Sequence, residues 1–401
     1  MTVGRRVHPL LYFVLFLPFC TPSGYVAVAL GFLAPERGIS VAGVSELVAM
    51  TVLPQTYKFL WAPLVDVLST RKRWYLGASL VSALTLAALG LVPLAPASLP
   101  ILEALIFANS VASAFLAMAV EGIMANVTAE ADRGRAAAWS QAGNLGGYAL
   151  GGGLGFHLVR TLPREWMAPA FLALASLACC VALLPLPEPA KIAGAAGARL
   201  KAVFREVWQV IWSRQGALAL PLCFLPMGAS AAAQLFSAVA REWHASPSLV
   251  ELMNGWLSGV IMIAGCLLAG RVSDAMDRKA AYAAAGGVLA AFALVMAFAP
   301  QTPFTYGLLC IGYSLATGLC YGTFTGFVLE LSGGAAAATK YNVFASLSNI
   351  PIWYMTRLDG WTADRHGALR MLLVDAAAGF VGIAALAVVL AVVRSARARA
   401  V

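Results

Sequence analysis

The chain has 401 residues, of which 61% are hydrophobic and 11% charged, and its formal net charge is +9. A soluble domain carries roughly 25% charged residues, so this composition leaves too little polar surface for a water-facing globule and makes lipid the solvent. The excess of cations does not point to nucleic acid, because they sit in short clusters between apolar runs, where they would orient helices in a bilayer.

A helix rising ~1.5 Å per residue needs about 20 apolar residues to cross a ~30 Å hydrocarbon core, and open backbone cannot face lipid. The apolar runs have that length and lack period-two alternation, which predicts helices. Twelve spans follow: 9–33, 44–65, 74–95, 99–123, 136–159 and 166–186, then 216–240, 250–271, 280–299, 303–330, 341–360 and 368–393. The first run begins after Arg5 and Arg6 and reaches about Leu33. A secretory signal core has roughly 7–15 residues, so this run is expected to be a retained span. Loop cations such as Arg71, Lys72, Arg73, Arg278 and Lys279 gather on the side that carries the termini, which predicts that both termini are cytoplasmic. The expected organisation is a six-helix bundle at 1–186, a linker at 187–215 and a second six-helix bundle at 216–401.

Taken in order, the second span carries Gln55 and Lys58 and descends through Trp61 and Pro63 to Asp66, before the basic cluster Arg71-Lys72-Arg73. A lysine inside a span is costly unless it snorkels to the headgroups, so Lys58 is either a cavity cation or a snorkelling one. The fourth span holds Asn109 and ends near Glu121. The fifth carries Gln141 and Asn144 in a run of glycines from Gly143 to Gly155, a composition suited to close helix approach. In the linker, Phe204, Trp208 and Trp212 share one helical face, as in a helix lying in the headgroup plane; a solvated linker is the alternative. The loop after the eighth span reads Gly270-x-x-x-Asp274-x-x-Asp277-Arg278-Lys279. Tyr313, Tyr321 and Glu330 follow on the tenth span, Asn349 on the eleventh and Asp375 on the twelfth.

The halves correspond. Asp66 and Asp274 stand half the chain apart, Phe16-Leu17-Pro18 recurs as Phe224-Leu225-Pro226, and Glu121 and Asn144 match Glu330 and Asn349. Repeated helical bundles place a binding site between the repeats near the midplane. The 7 cysteines lie in apolar stretches without metal spacing and the 4 histidines are scattered, so neither a metal nor another cofactor is expected. No P-loop or nucleophile elbow occurs, and no catalytic residue is assigned.

The paired loop motif resembles the signature of the major facilitator superfamily, although the first copy has Ala62 in place of the glycine and a longer spacing to its basic cluster. Within that superfamily, residues Tyr57 to Asp66, Asn126 to Gly134 and Gly143 to Gly153 are similar to the AmpG muropeptide permease and acetyl-CoA transporter branch. The resemblance implies an all-α membrane protein with twelve transmembrane helices in two pseudo-symmetric six-helix bundles. It further implies a monomeric secondary transporter of the bacterial inner membrane, taking up a small molecule with a proton. Two departures matter: Ala117 replaces one of the branch's acidic residues in helix four, and Leu145 stands where it has a helix-five arginine. These losses favour a less anionic solute, similar to those of siderophore importers, over a muropeptide or acetyl-CoA. The readings from another class are a polytopic membrane enzyme and a non-transporting receptor.

The resemblance also implies that Asp66 and Asp274, with Arg71, Lys72, Arg73, Gly270, Arg278 and Lys279, form a gating loop motif. Each aspartate would latch onto a helix start in the other half, Asp66 near Lys340-Tyr341 and Asp274 near Arg135. Simple interfacial solvation is the competing reading. Gln55, Lys58, Asn109, Asn144, Tyr313, Tyr321 and Asn349 are the candidate cavity residues, although the uncharged ones could instead join helices. Glu121, Glu330 and Asp375 are the candidate proton carriers, the first two open to an ordinary interfacial role and the third to a scaffold role.

Overall fold

The computed structural model describes residues 8–61, 65, 68–128, 132–188, 201, 204–205, 208–209, 212, 220, 223–331 and 337–398. Of residues 133, 134, 329–331, 337–340, 390 and 392–398 it describes the backbone only. The fold is all-α. Its spans are α1 (Leu10–Glu36), α2 (Val41–Thr56, then a tight turn Lys58–Leu60), α3 (Arg71–Leu89), α4 (Leu99–Val127), α5 (133–161) and α6 (Met167–Leu183). The second set is α7 (232–243), α8 (Pro247–Ala275), α9 (Arg278–Phe298), α10 (Pro303–Leu331), α11 (337–366) and α12 (Ala368–Ala398). Among the described residues, 6 helices (α1, α4, α8, α9, α10 and α12) contain a stretch long and apolar enough to cross a membrane.

Local chemistry sets several starts. Ser40, Thr70 and Ser246 each accept a hydrogen bond from a backbone N–H of the following turn, at 3.1, 3.3 and 3.2 Å. Asp277 of the loop motif accepts two, from Lys279 and Ala280, and so caps α9. Such caps satisfy N–H groups that have no partner within the helix. The Glu188 carboxylate adds acceptors for the N–H groups of Arg71 and Lys72, at 2.8 and 3.2 Å, and places negative charge at the positive end of α3.

Two spans depart from the continuous helices expected. α2 stops at Thr56, two residues after Pro54, and Tyr57 leaves the helical conformation. Proline removes a backbone donor, and Lys58 therefore rides on a tight turn rather than midway down a straight helix. Before α7, Gly228 and Ser230 adopt φ of 73° and 56°, so the backbone from Pro226 to Ala231 is irregular. The Tyr282 hydroxyl secures this break by donating to the Met227 carbonyl at 2.7 Å. Of the linker helix, the described side chains Phe204, Trp208 and Trp212 are exposed, and the rest of that expectation lies outside the described residues.

The halves meet along α5 with α8 and α2 with α11. At Gly255 a Cβ would fall 2.6 Å from the Cα of Gly153, so only glycine permits this approach of α8 to α5. At one end of the molecule, a continuous core draws on both halves, including Tyr25, Leu47 and Phe156 from the first and Phe236, Trp243 and Tyr306 from the second. At the other end, which carries the loop motifs, the core divides. One part surrounds Tyr12, Tyr75 and Leu116, the other Tyr282, Phe327 and Phe344. Phe59, on the turn after α2, reaches across to the second part.

Candidate functional site

A cavity of about 200 Å³ lies between the halves. Gln141 and Asn144 of α5, Tyr321 of α10, and Tyr341 and Asn349 of α11 supply its polar lining, and the break before α7 closes one side through Met227, Gly228 and Ala229. The pseudo-equivalent Asn144 and Asn349 thus face the same space. Asn144 accepts from the Cys20 thiol at 2.7 Å and donates to Gln141 Oε1 at 3.2 Å. Asn349 donates to the carbonyls of Ala345 and Ser346, each at 3.1 Å, which leaves its side-chain oxygen as an available acceptor.

Lys58 and Glu121 are not among the residues that line this cavity. Lys58 Nζ lies 3.9 Å from Glu121 Oε1, with side-chain exposures of 20% and 41%. The structure directs Lys58 to a carboxylate and keeps its side chain largely covered.

Besides Lys58, three cavity candidates from the sequence lie outside the lining. Asn109 is buried and donates to the Ser82 carbonyl at 2.8 Å and to Thr85 Oγ1 at 2.9 Å, fastening α4 to α3. The space beside it is about 10 Å³, enough for one water at most. Gln55 reaches the Ser110 carbonyl at 3.4 Å, and its own oxygen is buried without a partner. Tyr313 is fully buried, and its hydroxyl donates to Asp375 Oδ2 at 2.9 Å. These spacings identified polar residues within spans, but the helix rotation that aims each side chain was beyond them.

In the loop motif, Arg71 Nη1 donates to the Gly122 carbonyl of α4 at 3.1 Å, and Arg278 Nη1 to the Gly326 carbonyl of α10 at 3.3 Å. Both bonds stay within one half. Lys72 and Arg73 occupy the first turn of α3, and Lys279 that of α9, while a Cβ at Gly270 would meet nothing within 4 Å. Asp274 is exposed, and Arg135 pairs with Asp132 at 3.5 Å. Among the described residues no bond joins Asp274 to α5, so the expected latch is not formed in this conformation. Asp66 and the side chains of Glu330 and Lys340 lie outside the described residues.

The opposite end carries contacts the sequence reading did not anticipate. Glu36 pairs with Arg241, Glu46 with Arg357 at 2.8 Å, and Glu251 with Arg160 at 2.8 Å and His157 at 3.2 Å. Asp364 accepts from the Val41 N–H at 3.1 Å. Every one of these contacts joins one half to the other. In the sequence Arg160, Arg241 and Arg357 are plain loop cations near span ends. The signal available was their recurrence opposite glutamates near span ends, but pairing across half the chain is visible only in the fold. The molecule is therefore sealed at this end, and its cavity faces the end that bears the loop motifs, where Gln141 and Tyr321 are exposed.

Asp359 was missed as well. The eleventh span was expected to end at residue 360, where a carboxylate would be interfacial. The helix instead runs to His366 and leaves Asp359 with 0% exposure.

The family model described as Major Facilitator Superfamily matches residues 12–352. No curated protein matches the sequence. Among solved structures, the nucleoside transporter NupG superposes with a TM-score of 0.72 at 14% identity, covering 95% of this chain and 98% of that one. A D-xylose-proton symporter gives 0.70 at 14% identity, covering 95% of each chain. The xylose transporter XylE from E. coli, in an inward open conformation, gives 0.68 at 13% identity, covering 94% of each.

Proposed function

The chain belongs to the major facilitator superfamily, a membrane transporter rather than an enzyme, and on that footing we propose that it takes up a small polar organic solute together with a proton by alternating access. The observation that carries this reading is the polar cavity between two related halves, sealed by cross-half ion pairs at one end and reached from the other. The loop-motif end is assigned to the cytoplasm by its cations, in the inner membrane of a bacterium, with both termini on that side and the monomer as the working unit. In the alternate state Asp66 and Asp274 would latch the loop-motif end while the opposite ion pairs separate. Asp66→Ala tests this: lost transport at normal membrane abundance supports the latch, and unaltered transport removes it.

The cavity favours a solute without net negative charge, because none of its described lining residues is charged and Lys58 is matched by Glu121. Amide and tyrosine groups supply the remaining recognition, which suits hydroxyl-rich, hydroxamate-like or heteroaromatic solutes. A siderophore-like solute is the reading we favour, with the cavity widening where the two cores are already separate. The second reading, a muropeptide or acetyl-CoA permease, is weakened by Leu145 and Ala117. Proteoliposomes with an inward proton gradient decide, using a ferric hydroxamate, a nucleoside, D-xylose and a muropeptide as probes. Gradient-driven accumulation of one of the first three supports the proposal. Accumulation of the muropeptide alone overturns the solute class, and binding or product formation without movement overturns transport.

A further inference from the structure

Behind the cavity wall, α10, α11, α12 and the start of α7 enclose two carboxyl groups. Asp359 of α11 is 0% exposed and Asp375 of α12 is 8% exposed. Gly367, at φ +83°, turns α11 directly into α12, and both aspartates lie about two turns, or ~10 Å, from that connection. The Tyr313 hydroxyl donates to Asp375 at 2.9 Å, and Ala232 at the start of α7 lies beside it. Asp359 lies beside Asp375 as well, and neither of its oxygens meets a donor among the described residues. The buried hydroxyl of Thr356, one turn earlier on α11, also lacks a partner.

The surrounding helices bring no cation to the pair. On α2, Glu46 is bound to Arg357 at the sealed end, and on α9 the Tyr282 hydroxyl is spent on Met227. On α10 the other titratable groups are Tyr306, whose hydroxyl donates to the Phe236 carbonyl, the buried thiols of Cys310 and Cys320, Tyr321 at the cavity, and Glu330, whose side chain lies outside the described residues; residues 232–239 of α7 include none. Two ionised carboxylates offer only acceptors and repel one another. A carboxylic acid supplies the one donor that this arrangement lacks.

We propose that Asp359 and Asp375 share a proton, forming a proton-binding site connected to the cavity through the break before α7. The connection is physical. Met227, Gly228 and Ala229 line the cavity, and Ala232, three residues further on, lies beside Asp375. On α11, Ile352 lines the cavity two turns before Asp359. A displacement of the break by solute moves the start of α7 relative to Asp375 and so changes the surroundings of the shared proton. This proposal rests on the proton-coupled reading above and supplies its proton-binding groups.

The test needs no solute. Infrared titration of the purified full-length protein should show a carboxylic-acid C=O band that persists at neutral pH. The band should shift in Asp359→Asn and in Asp375→Asn, and vanish in the double variant, whose amide pair is neutral and nearly isosteric. An identical band in wild type and double variant overturns the proposal. So does a band abolished by sodium chloride at constant pH, which would make the site a sodium site. Should the asparagine variants aggregate, Tyr313→Phe removes one donor at nearly constant volume and must shift the band; an unmoved band overturns the assignment. Gradient-driven uptake in a protein lacking the band would remove the site and leave the transport reading intact. The band in a protein that moves none of the four probes would leave the site and remove transport.

Discussion

The two ends of the molecule use the same kinds of charge for opposite purposes. At the loop-motif end, Arg71 and Arg278 reach carbonyls of their own half, Arg135 pairs with a neighbour three residues away, and the core is divided. At the opposite end, Arg160, Arg241 and Arg357 all pair with glutamates of the other half over a shared core. Charges within a half stiffen each bundle as a body, whereas charges across the halves hold one arrangement of the two. The difference separates what must stay rigid during alternating access from what must come apart.

The comparison can be broken most severely at Gly255. Gly255→Leu places a side chain where the Gly153 backbone already lies, and overpacking costs typically 1–3 kcal/mol even where side chains can yield. The sealed end should then fail to form. Cysteines at 36 and 241, in a background with the native cysteines replaced, should cross-link readily in the parent and not in the variant; equal cross-linking would show that the glycine contact does not govern closure.

A smaller effect is expected from Glu251→Gln, which removes the negative charge shared by Arg160 and His157 and leaves one acceptor oxygen for the two of them. Glu251 is only 14% exposed and Arg160 35%, so about 1 kcal/mol is lost, a roughly five-fold shift towards opening. The alkylation rate of a cysteine at position 248 reports it, and an unchanged rate would assign closure to the apolar core alone.

Arg71→Gln and Arg278→Gln should sharpen the comparison by lowering thermal stability by ~1 kcal/mol each, without altering the 36–241 cross-link. A changed cross-link would contradict the division into rigid bodies. The least effect on stability is expected from Asp274→Asn, within about 0.5 kcal/mol, since this side chain is exposed and makes no bond among the described residues. Loss of transport in that variant, with melting unchanged, would place its role in the alternate state.

The repeated Phe-Leu-Pro tripeptide shows how far the sequence could be read. Both copies are plain in the chain and correctly signal two related halves, yet they build different structures. α1 continues through Pro18 and Pro22, whereas the chain after Pro226 breaks at Gly228 and Ser230. Proline weakens a helix in either setting, but the following Met-Gly-Ala-Ser segment can adopt positive φ, and Tyr282 from α9 holds the freed carbonyl. The first condition can be read locally; the second depends on a residue far along the chain.

Hydrophobic length and charge placement by themselves determined that this is an all-helical, multi-pass membrane protein with duplicated halves, because a bilayer imposes those quantities on any chain that crosses it. They also singled out Asn144, Asn349, Lys58 and Glu121, whose polarity within apolar spans is conspicuous. Only the tertiary structure decided that Asn109 and Tyr313 are fastenings, that Asp359 is buried, and that the sealed end is the one without the loop motifs. Those outcomes depend on helix rotation and on pairing between residues of different spans, and neither leaves a periodic trace in the chain.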